Sequence, residues 1–307
     1  MKKYISTQSR KVAKSQSKFY KKTFASLRLF AFALILVFPL FAQQKVAVLI
    51  PEKTFQSQVF AEKLENSLSK NFKILDDSLS ETAFRSAKFE TPFNLSLKES
   101  KNVGAAIGCD YFLLIKAENQ RRNSLSKGEY YESYAVVYAV SSRTGRLIFW
   151  KLAVGEAETT EKAERKLFAS TDDLSAEISD KLKTVTKDEL NEKAAQKLEE
   201  LPAEDLSEAK NFRPPLPYRR IKPPYTRLAN LYSVEATVDI EIDVDENGKI
   251  QRTEITRWAG FGLDESVDKT IRQMTWKPAD RDGKTLPMRV LLRYNFKKIE
   301  ENFQSKK

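Results

Sequence analysis

Asp243, Asp245, Asn247 and Glu254 stand at the spacing of a calcium-binding loop. In DVDENGKIQRTE they occupy the ligand positions of D-x-[DN]-x-[DN]-G-x5-E, with Gly248 at the sharp turn. Calcium is a hard cation that takes oxygen ligands, so the residue types fit; the pattern also requires a helix on each side. Here Val238, Ile240, Ile242 and Val244 alternate with Asp239, Glu241, Asp243 and Asp245, and a second run follows from Ile250 to about Arg257. Both flanks therefore read as strands, the first with one buried and one solvated, acidic face, and Glu246 to Gly248 read as a hairpin turn.

Little else in the chain offers chemistry. There is no histidine among the 307 residues, which removes the commonest general base, the commonest zinc ligand and every imidazole-dependent triad. The single cysteine, Cys109, excludes an intramolecular disulfide and reads as a small buried side chain entering a strand. The nine glycines supply no G-x-x-x-x-G-K phosphate loop. No catalytic, cofactor-binding or metal-binding residues are assigned, and the expectation is a binding protein that is not an enzyme.

The formal charge of +11 suggests nucleic acid until it is located. Residues 1–42 hold nine Lys or Arg and no acid, leaving +2 for the rest, so no nucleic-acid partner is expected. This basic start runs into LFAFALILVFPLFA, Leu29 to Ala42, the layout of an export signal with cleavage after Ala42. At about 1.5 Å per residue the run is shorter than the roughly 30 Å of a bilayer core. The expected location is the periplasm, with a short inner-membrane anchor as the alternative.

Downstream, KVAVLI, FKIL and YFLLIKAE read as strands, separated by amphipathic helices with Val59, Leu64 and Leu68 and then Lys98 to Ile107. Glu118 to Glu129 is polar and aperiodic and reads as a loop. YESYAVVYAV and RLIFWKLAV form a hairpin across Ser141 to Gly145, and a last helix turns Leu174, Ile178 and Leu182 inward. This is a layered α/β domain over 45–185. Residues 187–200 read as a solvated helical spacer, and six of the eleven prolines fall between Pro202 and Pro224. The linker, 186–224, is expected to act as an arm that holds the last domain away from the first.

The last domain, 225–299, reads as strand, strand, helix, strand, with Leu263, Val267, Ile271 and Met274 on one helix face and a tail at 300–307. MRVLLRYNF buries Met288, Val290, Leu292, Tyr294 and Phe296 and exposes Arg289, Leu291, Arg293 and Asn295. The fold class is α+β, with two domains. Pro224 with Tyr225, the turn Asp245 to Gly248, Gly260 with Leu263 and Asp264, Trp276 with Pro278 and Ala279, Gly283, and Val290 to Phe296 give this stretch its resemblance to the carboxy-terminal domain of the TonB family. Thr226 departs from it, standing where a second proline is usual, and Glu235 with Ala236 replace a usual glycine. Val46 to Glu52, Gly108 to Glu118 and Ser141 to Trp150 resemble the amino-terminal domain of TolB and the envelope domains of LpoB and CsgG.

The TonB resemblance implies docking on outer-membrane TonB-dependent transporters, whose extended peptide adds to the last strand by main-chain pairing. Carried over, the partner-binding residues are Pro224, Tyr225, Arg289, Val290, Leu291, Leu292, Arg293, Tyr294, Asn295 and Phe296. Arg289 and Arg293 either favour acidic partner segments or form a solubilising face. A retained amino-terminal segment would add contact with inner-membrane motor proteins, and edge-to-edge pairing would give a homodimer. The energy-coupled members carry a histidine in their membrane helix; this chain has none. The alternative is a soluble periplasmic scaffold joining envelope proteins without energy coupling.

Overall fold

A computed structural model describes residues 43–191, 198 and 211–298. The expected export signal, most of the spacer and proline-rich stretch before residue 211, and the tail lie outside the described residues. From Gln44 onward the described residues belong to one compact unit.

Five strands, β1 (Lys45–Leu49), β2 (Lys73–Ile74), β3 (Tyr111–Ser124), β4 (Gly128–Ser141) and β5 (Leu147–Ala157), form a sheet in the order β2-β1-β3-β4-β5. The β1 strand is parallel to both its neighbours, and β3, β4 and β5 are joined as antiparallel hairpins. The helices α1 (Phe55–Leu68), α2 (Asp77–Ser86) and α3 (Leu97–Ile107) precede β3, and α4 (Thr160–Ala169) and α5 (Thr171–Asn191) follow β5. Their starts are written in the sequence. Thr54, Asp76 and Thr159 each accept one free first-turn backbone N–H, from Ser57 of α1, Leu79 of α2 and Lys162 of α4, and Ser96 with Glu99 closes a capping box on α3.

One sheet face packs Leu113, Ile115 and Val137 against Phe60 and Leu64 of α1 and Ile178 and Leu182 of α5. Cys109 is buried, and burial raises its thiol pKa. The stretch read as a loop, Glu118 to Glu129, is instead the tip of the β3–β4 hairpin. Its polar side chains face their partners across the strands, Arg121 with Glu129 and Gln120 and Arg122 with Glu132, so the ladder continues without an apolar pattern.

After α6 (Arg227–Leu231), the strands β8 (Ala236–Val244), β9 (Ile250–Arg257) and β13 (Met288–Phe296) form an antiparallel sheet in the order β13-β8-β9, with α7 (Leu263–Gln273) packed on it. The calcium-like segment is the β8–β9 hairpin. Asp245 accepts from the N–H groups of Asn247 and Lys249, while Glu254 pairs with Arg146. Gly248 has φ +79°, and a Cβ there would strike the Trp276 carbonyl, so the turn requires glycine.

The expectation that the arm separates the two domains is corrected here. The second face of the five-stranded sheet, with Phe112, Leu114, Val136 and Tyr138, shares one core with Trp258, Ala259 and Phe261 of the carboxy-terminal module. Tyr138 meets Trp258 at 5.7 Å, and Trp150 stacks on Phe261 at 5.4 Å between ring centres. The Asn94 side chain clasps the module, accepting from Thr237 N–H at 2.9 Å and donating to the carbonyls of Thr237 and Trp258 at 2.8 and 2.6 Å. Arg257 bonds the Asn94 carbonyl at 2.6 Å and pairs with Glu99 at 3.1 Å. Two apolar surfaces therefore bury each other where separation by the arm was expected.

Candidate partner-binding edge

The β13 strand is an edge: it pairs with β8 from Met288↔Val244 to Phe296↔Ala236 and has no ladder on its other side among the described residues. Its alternation follows the sequence reading. Val290 and Phe296 are buried, Leu292 and Tyr294 are half-buried, and Leu291 is 53% exposed. An outward row of N–H and C=O groups in such a strand is a template for a further strand.

The arginines are not free to greet a partner. Arg289 holds Asp243 through two hydrogen bonds of 2.7 and 2.9 Å, and Arg293 holds Asp239 in the same two-pronged way. On the other side Arg252 reaches Asp243 at 3.9 Å and Arg257 reaches Asp239 at 3.5 Å. The register lines these residues up, giving two Arg–Asp–Arg rows across β13, β8 and β9. The face expected to be solvated and acidic is therefore covered: Asp239 and Asp243 are each only 5% exposed, closed over by guanidinium groups. A planar fork from β13 satisfies each carboxylate and a second guanidinium from β9 lies at ion-pair distance, which is what lets the two acids be buried on this face.

Pro224 and Tyr225 brace the module. The Pro224 carbonyl accepts from Ser266, the Tyr225 hydroxyl donates to the carbonyls of Ala229 and Val234, and its ring stacks on Phe296 at 6.3 Å. Asn295 accepts from Thr237 at 2.8 Å. Of the ten expected residues, Val290 to Tyr294 thus stand along one open edge. Pro224, Tyr225 and Phe296 secure its ends, and Arg289, also on β13, is tied across the sheet.

Sequence reasoning missed the other wall. Part of the proline-rich lead returns as a strap in which β6 (Phe212–Arg213) pairs with β11 (Ala279–Arg281) and β7 (Leu216–Pro217) pairs with β10 (Trp276–Lys277), while β12 (Lys284–Leu286) closes a small hairpin with β11. Lys277 and Arg281 cover the rings of Tyr218 and Phe212 at 5.2 and 5.5 Å. Between this strap and the consecutive residues Val290–Tyr294 lies a groove of about 530 Å³, floored by Met274 and Trp276. Trp276 is 2% exposed and its indole N–H has no acceptor. Burial pushes the Tyr294 hydroxyl pKa upward while Arg220 on the strap pulls it down. The signal available in the sequence was the set of apolar residues between the prolines, Leu216, Tyr218 and Ile221, which a plain spacer does not need.

Among the described residues no cluster of His, Cys, Asp and Glu could hold a metal ion, and no helix is long and apolar enough to cross a membrane. Residues 221–297 match the family model of the Gram-negative bacterial TonB protein C-terminal, so the module is a TonB-type carboxy-terminal domain. No curated protein matches the chain. Solved structures similar to it include the TonB carboxy-terminal domain of Pseudomonas aeruginosa, 20% identical over 34% of this chain and 98% of that one, at a TM-score of 0.26. The LpoB C-terminal domain of Salmonella enterica is 14% identical over 41% of this chain and 91% of that one, at 0.25. The lipoprotein GNA1162 of Neisseria meningitidis is 12% identical over 45% and 99%, at 0.32.

Proposed function

We propose that this protein, with its TonB-type carboxy-terminal domain, is a cell-envelope docking protein that takes the extended segment of an outer-membrane TonB-dependent transporter as an added strand on β13. One observation carries the reading: the strand of the matched family at which addition is expected is an open edge, facing a groove with an apolar floor. The partner-contacting residues are then the outward backbone groups of Arg289 to Phe296 and the exposed Leu291, with Pro224 and Tyr225 fixing the start of the module. The chain works by binding and not as an enzyme, is exported to the periplasm, and is organised as 45–185, a linker at 186–224, and 225–299.

A second reading is favoured by the shared core. A module sealed to its neighbouring domain by Trp258 and Asn94 suits a scaffold that joins two envelope proteins better than an arm that reaches across the periplasm. The amino terminus of the mature protein decides between them. A terminus at Gln43 in the soluble fraction supports the scaffold, and an intact apolar run in the inner membrane supports a transducer.

The docking itself is tested with a synthetic peptide copying a transporter's docking segment, by calorimetric titration. Neighbouring residues of a strand turn their N–H groups to opposite edges. Of Leu291→Pro and Leu292→Pro, one therefore removes a bond to β8 and lowers Tm, and the other removes an outward donor and spares the ladder. The ladder-sparing variant should lose peptide binding; undiminished binding by it refutes strand addition at β13.

A further inference from the structure

A second pair of edges lies on the opposite side of the module. β5 is the last strand of its sheet and β9 the last strand of the other, and they face each other across a slot of about 430 Å³. The slot is lined without a break by Arg146–Trp150 and by Arg252–Ile255. A cavity on a sheet face meets every second residue, because side chains alternate; an unbroken run means that the backbone edges themselves border it. Across these residues β5 pairs only with β4, and β9 only with β8.

The two ends of the slot differ in charge. Arg146 closes one end, bonding Glu254 at 2.6 Å. Near the other, where Trp150 stacks on Phe261, stand Asp264 and Glu265 in the first turn of α7. Asp264 accepts from the backbone N–H groups of Ala259 and Gly260, and neither carboxylate has a cationic partner among the described residues. Ile148, Ile255 and Trp258 make the middle apolar.

We propose that this slot takes an extended segment of a partner protein, added to β5 as a sixth strand, apolar at alternate positions and carrying a basic side chain where it meets Glu265. The unpaired edge supplies the backbone recognition, and the exposed Glu265 carboxylate at one end sets direction and register. This site is independent of the β13 edge and would give the molecule two strand-docking positions on opposite sides of one module.

The test uses the full chain and two acetylated, amidated heptapeptides of alternating Val and Thr, one beginning with Lys and the other with Glu, read by hydrogen–deuterium exchange. The Lys peptide should slow exchange at residues 147–150 and 252–255. The Glu peptide should bind about fivefold more weakly at low salt, the scale of one accessible ion pair. Glu265→Gln, at an exposed position, should shrink that preference, and Leu291→Asp on β13 should leave it intact. Equal binding of the two peptides overturns the proposal, as does protection confined to β13 or absent with both. Protection of the same amides that rises with protein concentration alone makes a second copy the occupant and also overturns it.

Discussion

Two edges of one small sheet meet opposite fates. At the far end of β9 the chain runs straight into the neighbouring domain: Arg257 reaches Asn94 and Glu99, and the next residues carry Trp258 and Phe261 into the shared core. At β13 the nearest chain is a proline-rich strap that makes its ladders elsewhere, with β10 and β11, and leaves Leu291 in solvent. The same module thus welds the far end of β9 and keeps β13 open along its length. The weld itself is an aromatic core tied by the hydrogen bonds of Asn94 and Arg257. The open side is satisfied in its side chains, through the Arg–Asp–Arg rows, and unsatisfied in its outward backbone, which is the condition for adding a strand without first breaking anything.

Breaking the weld should give the largest effect. Trp258 is 1% exposed and packs on Tyr138, so Trp258→Ala should cost about 3–5 kcal/mol. It should also split a single denaturant transition into two as the module comes away. A variant that still unfolds in one step, with little loss, would mean that the two sheets are held together by something other than this core. The pH dependence comes next. Burial raises the Asp264 pKa to about 7 from its ordinary 3.8, so the folded state favours the protonated acid. The stability it contributes is full below the ordinary value and is lost as pH rises through about 7. Glu65, raised to about 8 by burial with Asp77 beside it, acts in the same direction. Melting temperature should therefore fall between pH 5 and 8, and Asp264→Asn should flatten part of that fall; parallel curves for the two proteins would refute the assignment.

A smaller loss is expected at Asn94. Asn94→Ala removes three bonds to the module and leaves the Thr237 N–H and two carbonyls to find water, at a cost of about 1–3 kcal/mol by chemical denaturation. An undiminished midpoint would mean that solvent already satisfies these groups and that the weld rests on the aromatic rings alone.

The elements were readable where pattern and packing agree. The alternations of β8 and β13 and the spacing of Leu263, Val267 and Ile271 are each set by one buried face, and each forms as read. Contacts between distant segments left fainter traces. Tyr134 to Val140 is apolar at nearly every position and buried at all of them, which requires cover on both faces of the strand; the second cover, Trp258 to Phe261, lies more than a hundred residues away and carries no local mark. The acids of β8 looked solvated because charge on a strand face usually is, and only the register with Arg289, Arg293, Arg252 and Arg257 shows that they are roofed over. The strap failed to show because two-residue strands have no periodicity to read. For the candidate edge, the strand was legible and its second wall was not.

The smallest stability effect should fall on the open edge, and it separates the two fates most cleanly. Leu291 is opposed to Glu241 on β8, and its side chain points into solvent. Leu291→Asp should therefore move stability by no more than about 0.5 kcal/mol, the range of exposed substitutions. Docking should respond quite differently. An added strand would cover this side chain, so the variant gives up the burial of a leucine and places a carboxylate against the incoming peptide, weakening binding about tenfold or more. A change that leaves Tm in place and removes binding fits an edge kept for a partner. If stability falls instead, the strap already covers Leu291 in solution, and β13 is closed as firmly as the weld at Trp258.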